Sequence, residues 1–547
     1  MKNYTDIANL LFPDVHETRE DIFKRYPKRN LKEGQIVSRF APSPTGYMHI
    51  GNFFQAFISY NLAKNSNGIL FLRIEDTDRK REIKEATAVI YDVLSKFGIE
   101  FDEYQTLKGE DVGEYGPYVQ SQRNDIYKVF AKELVAQGKA FPCFCRKTEG
   151  KEDVLKLRET KFIENDDKEY DPCRDLSYEE IKQHIENGEK FAIRLKTKNQ
   201  GHERIVFNDL IKGDIEAKAN AKDFVILKSD GTPPYPFAHA IDDTLMGTNV
   251  VVRGEEYIAS TPAHVELFEA LDFKPIQYCH NPLIYKLNDL GNRRKISKRY
   301  DPESNMQYFF INGYPKEAVL EYLLNMINSG FEIWRKNNPL LSWREFKFKP
   351  NEITTVAPIF DLVKLNDISK NVIALMSGEM LFANWLAWAE DYKPELAEKL
   401  KADKDKFVKV CQMDRDGRPK PRKDIYNFSM MEEKFSYIFS APEKVEIAQE
   451  DREKANEFLS VYAQNFTLAQ TNEEWFENVK SIAESLGYAT DNKLYKAQPE
   501  KYKGNVAKAC EFIRLAITGA KDSPTLHTIM TIIGEEETKR RLSKKIN

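Results

Sequence analysis

The stretch Arg39-Phe-Ala-Pro-Ser-Pro-Thr-Gly-Tyr-Met-His-Ile-Gly-Asn52 decides the fold of the first half of the chain. A short β-prone run, Ile36–Ser38, precedes it, and apolar residues in 53–62 follow with helical spacing. The prolines and the glycine inside the stretch predict a stiff loop that places His49 at the mouth of this helix. A helix N-terminus presents free N–H groups and partial positive charge, which favours an anion such as a triphosphate, and Gly51 leaves room for a flat base.

A second segment, Arg293-Arg-Lys-Ile-Ser-Lys-Arg299, is predicted to form a strongly basic loop far down the chain. Taken alone, a Lys-x-x-Lys pattern is most often ordinary surface charge. Here Lys295 and Lys298 follow the second half of a predicted sheet and accompany the first motif. This combination favours mobile charges that stabilise a leaving pyrophosphate.

The two segments resemble the paired signatures of class I aminoacyl-tRNA synthetases. Together with Ile74-Glu-Asp-Thr-Asp78 and Val252-Arg-Gly-Glu-Glu256, they make residues 35–370 resemble the glutamyl-tRNA synthetase family. The sequence departs from the pattern at Asn52, where the class signature has a second histidine, and at Phe54, where many members carry a basic residue.

The resemblance implies an ATP-dependent enzyme that uses Mg²⁺, converts L-glutamate to glutamyl-adenylate and transfers it to the 3′ end of tRNA(Glu). It implies a cytoplasmic monomer and leaves open whether tRNA(Gln) is a second substrate. The catalytic residues that it implies are His49, Lys295 and Lys298. The implied ATP-binding residues are His49, Gly51, Glu256, Lys295, Ser297 and Lys298. The implied glutamate-binding residues are Arg39, Ala41, Ser43, Glu75, Tyr235, His239 and Arg253.

Arg39 ends a predicted buried strand, and a buried guanidinium needs an anionic partner. From the residues alone this partner is either a protein carboxylate or a bound ligand. The family resemblance implies the side-chain carboxylate of glutamate, held in a bidentate pair. His239 stands where the family pattern has asparagine, and Tyr257 stands where some members have tryptophan.

The metal candidate is a set of three cysteines, Cys143, Cys145 and Cys173. A C-x-C pair with one distant cysteine is a weaker metal signal than a doubled C-x-x-C. Some glutamyl synthetases carry zinc in this region through a similar cysteine set and a tyrosine, so the resemblance implies zinc with Tyr170 as the fourth ligand. The alternative is three thiols without a metal.

Size and composition exclude several classes of protein. A chain of 547 residues has room for two to four domains. No apolar run reaches the roughly 18 residues of a membrane helix, and Met1–Leu11 is unlike a secretory signal. Six cysteines in so long a chain favour a reducing cytoplasm over a disulfide framework. The sequence contains neither G-x-x-x-x-G-K-[ST] nor G-x-G-x-x-G, which disfavours a P-loop ATPase and a dehydrogenase.

The net charge of −4 does not by itself indicate a nucleic-acid binder. Binding nucleic acid requires locally positive surface rather than a positive total. Arg415–Lys423 and Lys539–Lys545 are locally basic, although each is also explained as a solvated loop or tail.

The pattern of predicted elements gives an α/β fold class: a Rossmann-type parallel-sheet domain with an inserted domain, followed by an all-α C-terminal region. The resemblance implies that the sheet domain is catalytic, that the inserted domain binds the acceptor end of tRNA and that the helical region binds the anticodon. Ile69–Ile74 reads as a buried parallel strand, and the sheet is predicted to resume at Phe224–Lys228 and Val250–Arg253. Asn505–Thr518 reads as an amphipathic helix that stops at Gly519, and Ser523 with Pro524 is predicted to begin a last helix. The predicted domains are a helical extension at 1–34, the first catalytic half at 35–120, the insertion at 121–223, the second catalytic half at 224–300, a helical stem-contact region at 301–375 and the anticodon-binding domain at 376–547.

Three rival functions are weighed against this hypothesis. Glutaminyl-tRNA synthetase shares the catalytic pattern, but its C-terminal part is usually a β-barrel, whereas this one reads as helical. A shortened relative that glutamylates a tRNA base lacks the anticodon domain, so the length of the chain disfavours it. A non-catalytic tRNA-binding protein on a synthetase scaffold is disfavoured by intact His49, Lys295 and Lys298.

Overall fold

The computed structural model describes residues 3–77, 85–145, 172–199 and 202–546. The chain divides into two compact units. The first comprises Met1–Tyr308 and Leu320–Asp361, and the second comprises Phe309–Val319 and Leu362–Asn547. Among the helices of the described ranges, none combines the length and apolarity that crossing a bilayer requires. The domain boundaries given above stay a prediction.

All described strands lie in the first unit, and their order along the chain defines the labels used below. They are β1 (Val37–Phe40), β2 (Ile69–Leu72), β3 (Tyr104–Gln105), β4 (Asp111–Val112), β5 (Ala140–Cys143), β6 (Ala192–Leu195), β7 (Arg204–Asp209), β8 (Gly213–Lys218), β9 (Phe224–Leu227), β10 (Val250–Gly254), β11 (Gln277–Asn281), β12 (Tyr285–Leu287) and β13 (Arg293–Lys295).

The helices of residues 3–337 are α1 (Tyr4–Leu11), α2 (Arg19–Arg25), α3 (Ile50–Asn65), α4 (Ala86–Lys96), α5 (Asn124–Ala136), α6 (Tyr178–Glu186), α7 (Tyr235–Leu245), α8 (Thr261–Ala270), α9 (Gln307–Ile311), α10 (Lys316–Ile327) and α11 (Gly330–Asn337). The two short helices α1 and α2 agree with the prediction for the N-terminal extension. They pack against α5, where the rings of Phe23 and Phe130 meet edge to face with centroids 6.5 Å apart.

Parallel pairing forms the centre of the first unit. β1 pairs with β2, and β10 pairs with β11. The two pairs lie side by side because the residue before β10 bonds to the start of β1: the backbone N–H of Val37 donates to Asn249 Oδ1 at 2.8 Å, and the N–H of Asn249 donates to Val37 O at 3.1 Å. The four residues of β1 and all five of β10 are buried, as expected for parallel strands covered on both faces. The predicted parallel sheet is thus confirmed.

Two strand pairings differ from the sequence prediction. β9 does not rejoin the parallel sheet; it pairs antiparallel with β6, which pairs with β5. The prediction that the sheet resumes at Phe224 is therefore wrong, whereas the strand predicted at Val250–Arg253 is confirmed as β10. The hairpin of β7 and β8 instead extends the parallel sheet, since Asp209 pairs with Tyr278 of β11. These are pairings between distant segments, which local periodicity does not encode.

Over its described residues, the second unit consists of helices joined by loops, with one isolated β-bridge between Ala489 and Asn505. Its helices after residue 361 are α12 (Leu362–Ala374), α13 (Gly378–Tyr392), α14 (Pro394–Ala402), α15 (Lys404–Gln412), α16 (Ser429–Lys434), α17 (Ser436–Phe439), α18 (Arg452–Asn465), α19 (Asn472–Ser485), α20 (Asn492–Ala497), α21 (Val506–Thr518), α22 (Leu526–Ile533) and α23 (Glu535–Leu542). A single apolar core joins most of them, with Trp385, Phe458 and Phe512 fully buried.

The helix predicted at Asn505–Thr518 is confirmed as α21. Asn505 caps its N-terminus, and Gly519 follows in the left-handed conformation with φ of 71°. The prediction for the last helix is wrong in its start and its count. α22 begins at Leu526 with Thr525 at its N-cap, and α23 follows it after Gly534.

A buried ionic network joins the two halves of the first unit. Asp242, in α7, accepts hydrogen bonds from Arg123 Nε at 2.7 Å, Gln120 Nε2 at 3.0 Å and the Tyr127 hydroxyl at 2.7 Å. Asp242 and Arg123 are completely buried. Charges withdrawn from water require such partners, so this network fixes α5 against α7.

We expect Asp242→Asn to lower the free energy of unfolding by about 1–3 kcal/mol, because an amide cannot accept from all three donors and leaves Arg123 without its counter-ion. The matched control is Glu17→Gln, which removes the charge of an exposed pair with Arg25 at 3.0 Å. This control is expected to cost below about 1 kcal/mol. Urea unfolding followed by tryptophan fluorescence measures both, and equal costs would contradict the role given to Asp242.

Candidate active site

A cavity of about 190 Å³ opens at the carboxyl ends of the parallel strands. Ligands of doubly wound sheets bind at this edge. Its walls come from the ends of β1 and β2, the starts of α3 and α7, and the end of β10. The lining residues are Arg39, Phe40, Ala41, Pro42, Ser43, Thr45, Asn52, Gln55, Glu75, Tyr235, Val252, Arg253, Glu256 and Tyr257. Six of the seven residues predicted to bind glutamate are among them.

Arg39 pairs with a protein carboxylate, which is one of the two kinds of partner that the sequence left open. Its Nε donates to Asp243 Oδ2 at 3.1 Å, and its Nη1 donates to the carbonyl of Val252 at 3.3 Å. The side chain is 4 % exposed and still lines the cavity. Burial alone would lower the pKa of Arg39, but the carboxylate of Asp243 raises it, so the guanidinium stays charged.

Glu75 follows β2 and supplies a carboxylate to the same cavity. Arg73 Nη2 donates to its Oε1 at 3.0 Å. Burial raises the pKa of Glu75, although Arg73 and Arg39 oppose the rise. A cationic group bound next to Glu75 would therefore stabilise its ionised form.

Arg253 lies in β10 and is 3 % exposed. Its Nε donates to His280 Nε2 at 2.9 Å, and its Nη2 donates to Thr261 Oγ1 at 2.9 Å. Its Nη1 is buried and has no hydrogen-bond partner among the described residues. A charged donor without an acceptor is costly, so the arrangement suits an anionic ligand in the cavity.

His239 does not line the cavity, unlike the other residues predicted to bind glutamate. It is fully buried behind Tyr235, whose ring stacks on it with centroids 5.4 Å apart. Its Nδ1–H donates to Asp243 Oδ2 at 2.5 Å, and its Nε2 accepts from the Tyr278 hydroxyl at 3.1 Å. Burial lowers the pKa of His239 to about 4, despite the carboxylate of Asp243. A neutral His239 thus supports Asp243, which holds Arg39.

His49 is the N-cap of α3, as the first motif predicts. The backbone N–H of Gly51 donates to His49 Nδ1 at 3.0 Å, which leaves the proton of the neutral ring on Nε2. Burial, together with the positive charges of Lys298 and Lys295, lowers the pKa of His49 to about 4. The ring is therefore a neutral donor at physiological pH. A Cβ at position 51 would lie 3.2 Å from Nδ1, so Gly51 keeps this bond open.

The second motif starts as a strand rather than as the loop that was predicted. β12 and β13 form an antiparallel hairpin that ends at Lys295. Asp301 then fixes the segment: Arg294 donates to its two oxygens at 2.6 and 2.7 Å, and the backbone N–H of Ser297 donates at 2.8 Å. The bonds from Arg294 hold the pKa of Asp301 well below its usual range. The backbone is thereby fixed while Lys295 stays exposed.

The two motifs meet in the structure. The ammonium of Lys298 lies 4.7 Å from the ring centroid of Tyr47, and the Tyr47 hydroxyl donates to the Lys298 carbonyl at 3.4 Å. Past this segment, the N–H of Met306 donates to the carbonyl of Met48 at 3.0 Å. Both lysines are close enough to His49 to lower its pKa. An anion between the lysines and the start of α3 would contact both motifs.

The predicted metal-binding cysteines form a cluster apart from this cavity. The sulfur atoms of Cys143, Cys145 and Cys173 all lie within 4.8 Å of one another, and those of Cys145 and Cys173 are 3.5 Å apart. Tetrahedral zinc with bonds of about 2.3 Å requires sulfur atoms roughly 3.8 Å apart, which this spacing fits. Tyr170 lies outside the described residues.

Sequence reasoning missed the residues behind the cavity, chiefly Asp243, Asp209 and His280. One signal was available for Asp243. Asp242 and Asp243 are adjacent carboxylates in a short helix, and they lie between the apolar residues Ile241 and Leu245. This pattern is typical of carboxylates that neutralise buried cations. Asp209 and His280 carry no comparable local signal.

The family model for the catalytic domain of class I tRNA synthetases (E and Q) matches residues 35–359. A model for an anticodon binding domain matches residues 395–546. The chain therefore belongs to the class I tRNA synthetases.

Full-length relatives narrow the class to a family. The chain is 42% identical to a glutamate–tRNA ligase of Clostridium perfringens strain SM101, over 99% of both chains. It is 41% identical to a glutamate–tRNA ligase of Clostridium beijerinckii over the full length of both, and 35% identical to one of Sorangium cellulosum over 98% of this chain and 99% of the relative. The chain belongs to the glutamate–tRNA ligase family.

Two solved structures have a fold similar to that of this chain. A glutamate–tRNA synthetase from Elizabethkingia anophelis superposes with a TM-score of 0.73 at 25% identity, covering 94% of this chain and 99% of that one. A glutamate tRNA ligase from Elizabethkingia meningosepticum, solved in complex with its amino acid, gives a TM-score of 0.72 at 24% identity, covering 93% and 99%.

The pKa of His49 is about 4, below the ordinary value of 6.5. We expect Lys298→Ala to raise this pKa by roughly half a pH unit, because removing a nearby cation favours the imidazolium. NMR titration of the His49 ring measures the change. The control is Lys64→Ala, which removes an ammonium that pairs with Asp102 at 2.8 Å in the last turn of α3 and should leave His49 unchanged. An unaltered pKa in Lys298→Ala would contradict the proximity of the two motifs.

Proposed function

We propose that the protein is a glutamate–tRNA ligase, which activates L-glutamate with ATP and transfers it to the 3′ end of tRNA(Glu). The observation that carries the proposal is the contact between the two motifs: the ammonium of Lys298 lies 4.7 Å from the ring centroid of Tyr47, two residues before His49. Arg39, one of the lining residues of the adjoining cavity, stands ten residues before His49 in the same segment. The names of the full-length relatives support the same activity.

In the first step, an oxygen of the α-carboxylate of glutamate attacks the α-phosphorus of magnesium-bound ATP. The bond from that phosphorus to the bridging oxygen breaks, and pyrophosphate leaves. The carboxylate is already ionised at neutral pH, so no general base is needed. His49 Nε2–H would donate to the phosphate as its charge develops, and Lys295 and Lys298 would hold the pyrophosphate.

The cavity offers groups of the right charge for glutamate. Arg39 would hold the side-chain carboxylate, and Glu75 would hold the ammonium group. Arg253, with its buried unpartnered Nη1, would take a second anionic group. Ala41, Ser43 and Tyr235 would shape the walls, and Glu256 together with Ser297 and Gly51 would adjoin the nucleotide.

In the second step, the terminal 2′-hydroxyl of tRNA attacks the carbonyl carbon of the adenylate, and AMP and a proton are released. The inserted region would receive the acceptor end of the tRNA. The helical second unit would read the anticodon, whose unstacked bases expose their edges. A cytoplasmic monomer fits this assignment.

Aminoacylation assays with purified tRNA(Glu) and tRNA(Gln), each with glutamate and with glutamine, test the proposal. Charging of tRNA(Glu) with glutamate is expected, and the tRNA(Gln) arm decides whether a second tRNA is a substrate. Charging with glutamine alone would favour the glutaminyl enzyme. Absence of any charging, and of pyrophosphate exchange into ATP with glutamate and tRNA present, would favour a non-catalytic tRNA-binding protein.

We expect Lys298→Ala to slow adenylate formation at least 100-fold, because the lysine would act on charge that develops in the transition state. Its effect on the Kd of glutamate should stay below about threefold, since Lys298 is not among the residues that line the cavity. Rapid-quench measurement of adenylate and calorimetric titration with glutamate give the two numbers. Equal losses in both would contradict the role of this segment.

We also propose that Cys143, Cys145 and Cys173 hold a structural zinc ion, with Tyr170 as the fourth ligand. The spacing of the three sulfur atoms supports the proposal. Bound zinc would fix β5 to the 3-10 turn Pro172–Asp175 by stabilising three thiolates.

Freshly purified protein, dialysed against a chelator, should retain about one zinc ion per chain when the metal is counted by mass spectrometry. Cys173→Ser should lose the metal, because sulfur supplies the strongest ligands. Cys510→Ser, in α21 of the second unit, is the control and should keep it. Wild-type protein without stoichiometric zinc would end the proposal.

A further inference from the structure

The guanidinium of Arg253 is fixed on three sides. Besides its bonds to His280 and Thr261, its central carbon lies 4.3 Å from the ring centroid of Tyr278. These contacts use Nε, Nη2 and one face of the group. Only Nη1 is left without a partner among the described residues, and Arg253 is a lining residue of the cavity. The orientation of Arg253 thus determines which nitrogen a ligand meets.

His280 sets this orientation through its tautomer. Its Nδ1 lies 2.7 Å from Asp209 Oδ2, and its Nε2 lies 2.9 Å from Arg253 Nε. A carboxylate only accepts and Arg253 Nε–H only donates, so the proton is on Nδ1 and the lone pair on Nε2. Burial and the nearby Arg253 cation lower the pKa of His280, although Asp209 opposes them, and the ring stays neutral.

Asp209 fixes this tautomer because its own oxygens are immobilised. Oδ1 accepts from the backbone N–H groups of Ile211 and Lys212, each at 2.9 Å. Oδ2 accepts from the backbone N–H of His280 at 2.9 Å as well as from its ring. Burial would raise the pKa of Asp209, but these hydrogen bonds lower it, so the carboxylate is ionised.

We propose that Asp209 and His280 are positioning residues, which hold Arg253 so that its Nη1 meets an anionic group of the amino-acid substrate. Neither is a lining residue of the cavity, and both are buried. Asp209 ends β7, so the hairpin of β7 and β8 supplies the anchor for a group in β10. The identity of the substrate rests on the proposed function. The positioning role rests on the two hydrogen bonds that link Asp209 to His280 and His280 to Arg253.

Each test variant alters one of the hydrogen bonds among Asp209, His280 and Arg253. His280→Leu removes the acceptor for Arg253 Nε, whereas the amide oxygen of His280→Gln can replace it. Asp209→Asn keeps the shape but puts a donor either toward the His280 ring or toward the N–H groups of Ile211 and Lys212. His184→Gln is the control. His184 lies in α6, pairs with Glu189 at 2.9 Å and is not a lining residue of the cavity.

Pyrophosphate exchange in the presence of tRNA gives the KM for glutamate and for ATP. We expect His280→Leu and Asp209→Asn to raise the glutamate KM at least tenfold while the ATP KM changes less than threefold. His280→Gln should stay within about threefold of wild type, and His184→Gln should match it. A glutamate KM within twofold of wild type in both His280→Leu and Asp209→Asn would overturn the proposal, even if the melting temperature fell.

Crystal structures of the wild type and of Asp209→Asn give a readout that does not depend on activity. A turned Arg253 guanidinium in the variant is expected, and an unmoved one would overturn the positioning role. A wild-type enzyme that exchanges no pyrophosphate with glutamate would count against the proposed function, while the orientation of Arg253 would still decide the positioning role.

Discussion

The carboxylate of Asp243 holds the cavity together, because two buried cations depend on it. Its Oδ1 accepts from Arg73 at 2.6 Å, and its Oδ2 accepts from Arg39 at 3.1 Å. The two cations hold the pKa of Asp243 well below its usual range, against the opposing effect of burial. Arg39 belongs to β1 and Arg73 directly follows β2, whereas Asp243 belongs to α7, which lies about 170 residues further along the chain. One buried carboxylate therefore joins α7 to the ends of β1 and β2 at the ligand-binding edge. Its loss would leave Arg39 without its carboxylate partner and Arg73 with Glu75 as its nearest one.

A second constraint follows from the burial of the histidines around the cavity. Burial lowers the pKa of His239 to about 4, and it lowers the pKa of His264 well below the usual range. The histidines are therefore neutral at physiological pH, and they serve as hydrogen-bonding and packing groups. The positive charge that faces the cavity resides on the guanidinium groups of Arg39 and Arg253. Binding of an anion at this site would accordingly depend little on protonation of these histidines.

Patterns in the local sequence correctly predicted the features of the fold that depend on interactions between neighbouring residues. The cap of α3 at His49, the stop of α21 at Gly519 and the buried strand β2 all follow from short-range rules. The lining of the cavity was largely predictable because the resemblance marks positions at the ends of strands. The pairing of β9 with β6, the hairpin that joins β11, and the place of His239 behind Tyr235 depend on contacts between distant segments. A polar residue near a strand end looks the same in sequence whether it faces the ligand or supports the residue that does.

The two guanidinium groups of the cavity differ in their partners, and this difference bears on the ligand. Arg39 has a carboxylate as its nearest partner, whereas Arg253 is held by a neutral imidazole and a hydroxyl. Glu75 adds a buried carboxylate to the lining, and Glu256 adds an exposed one. The buried groups, two cations and one anion, complement a molecule with two carboxylates and one ammonium, which is the charge pattern of glutamate. Glutamine would offer a neutral amide where the cavity presents a guanidinium, and a hydrogen bond from a guanidinium to a carboxylate is stronger than one to an amide. Charge complementarity at the cavity therefore favours the acid over its amide before any contact with tRNA is made.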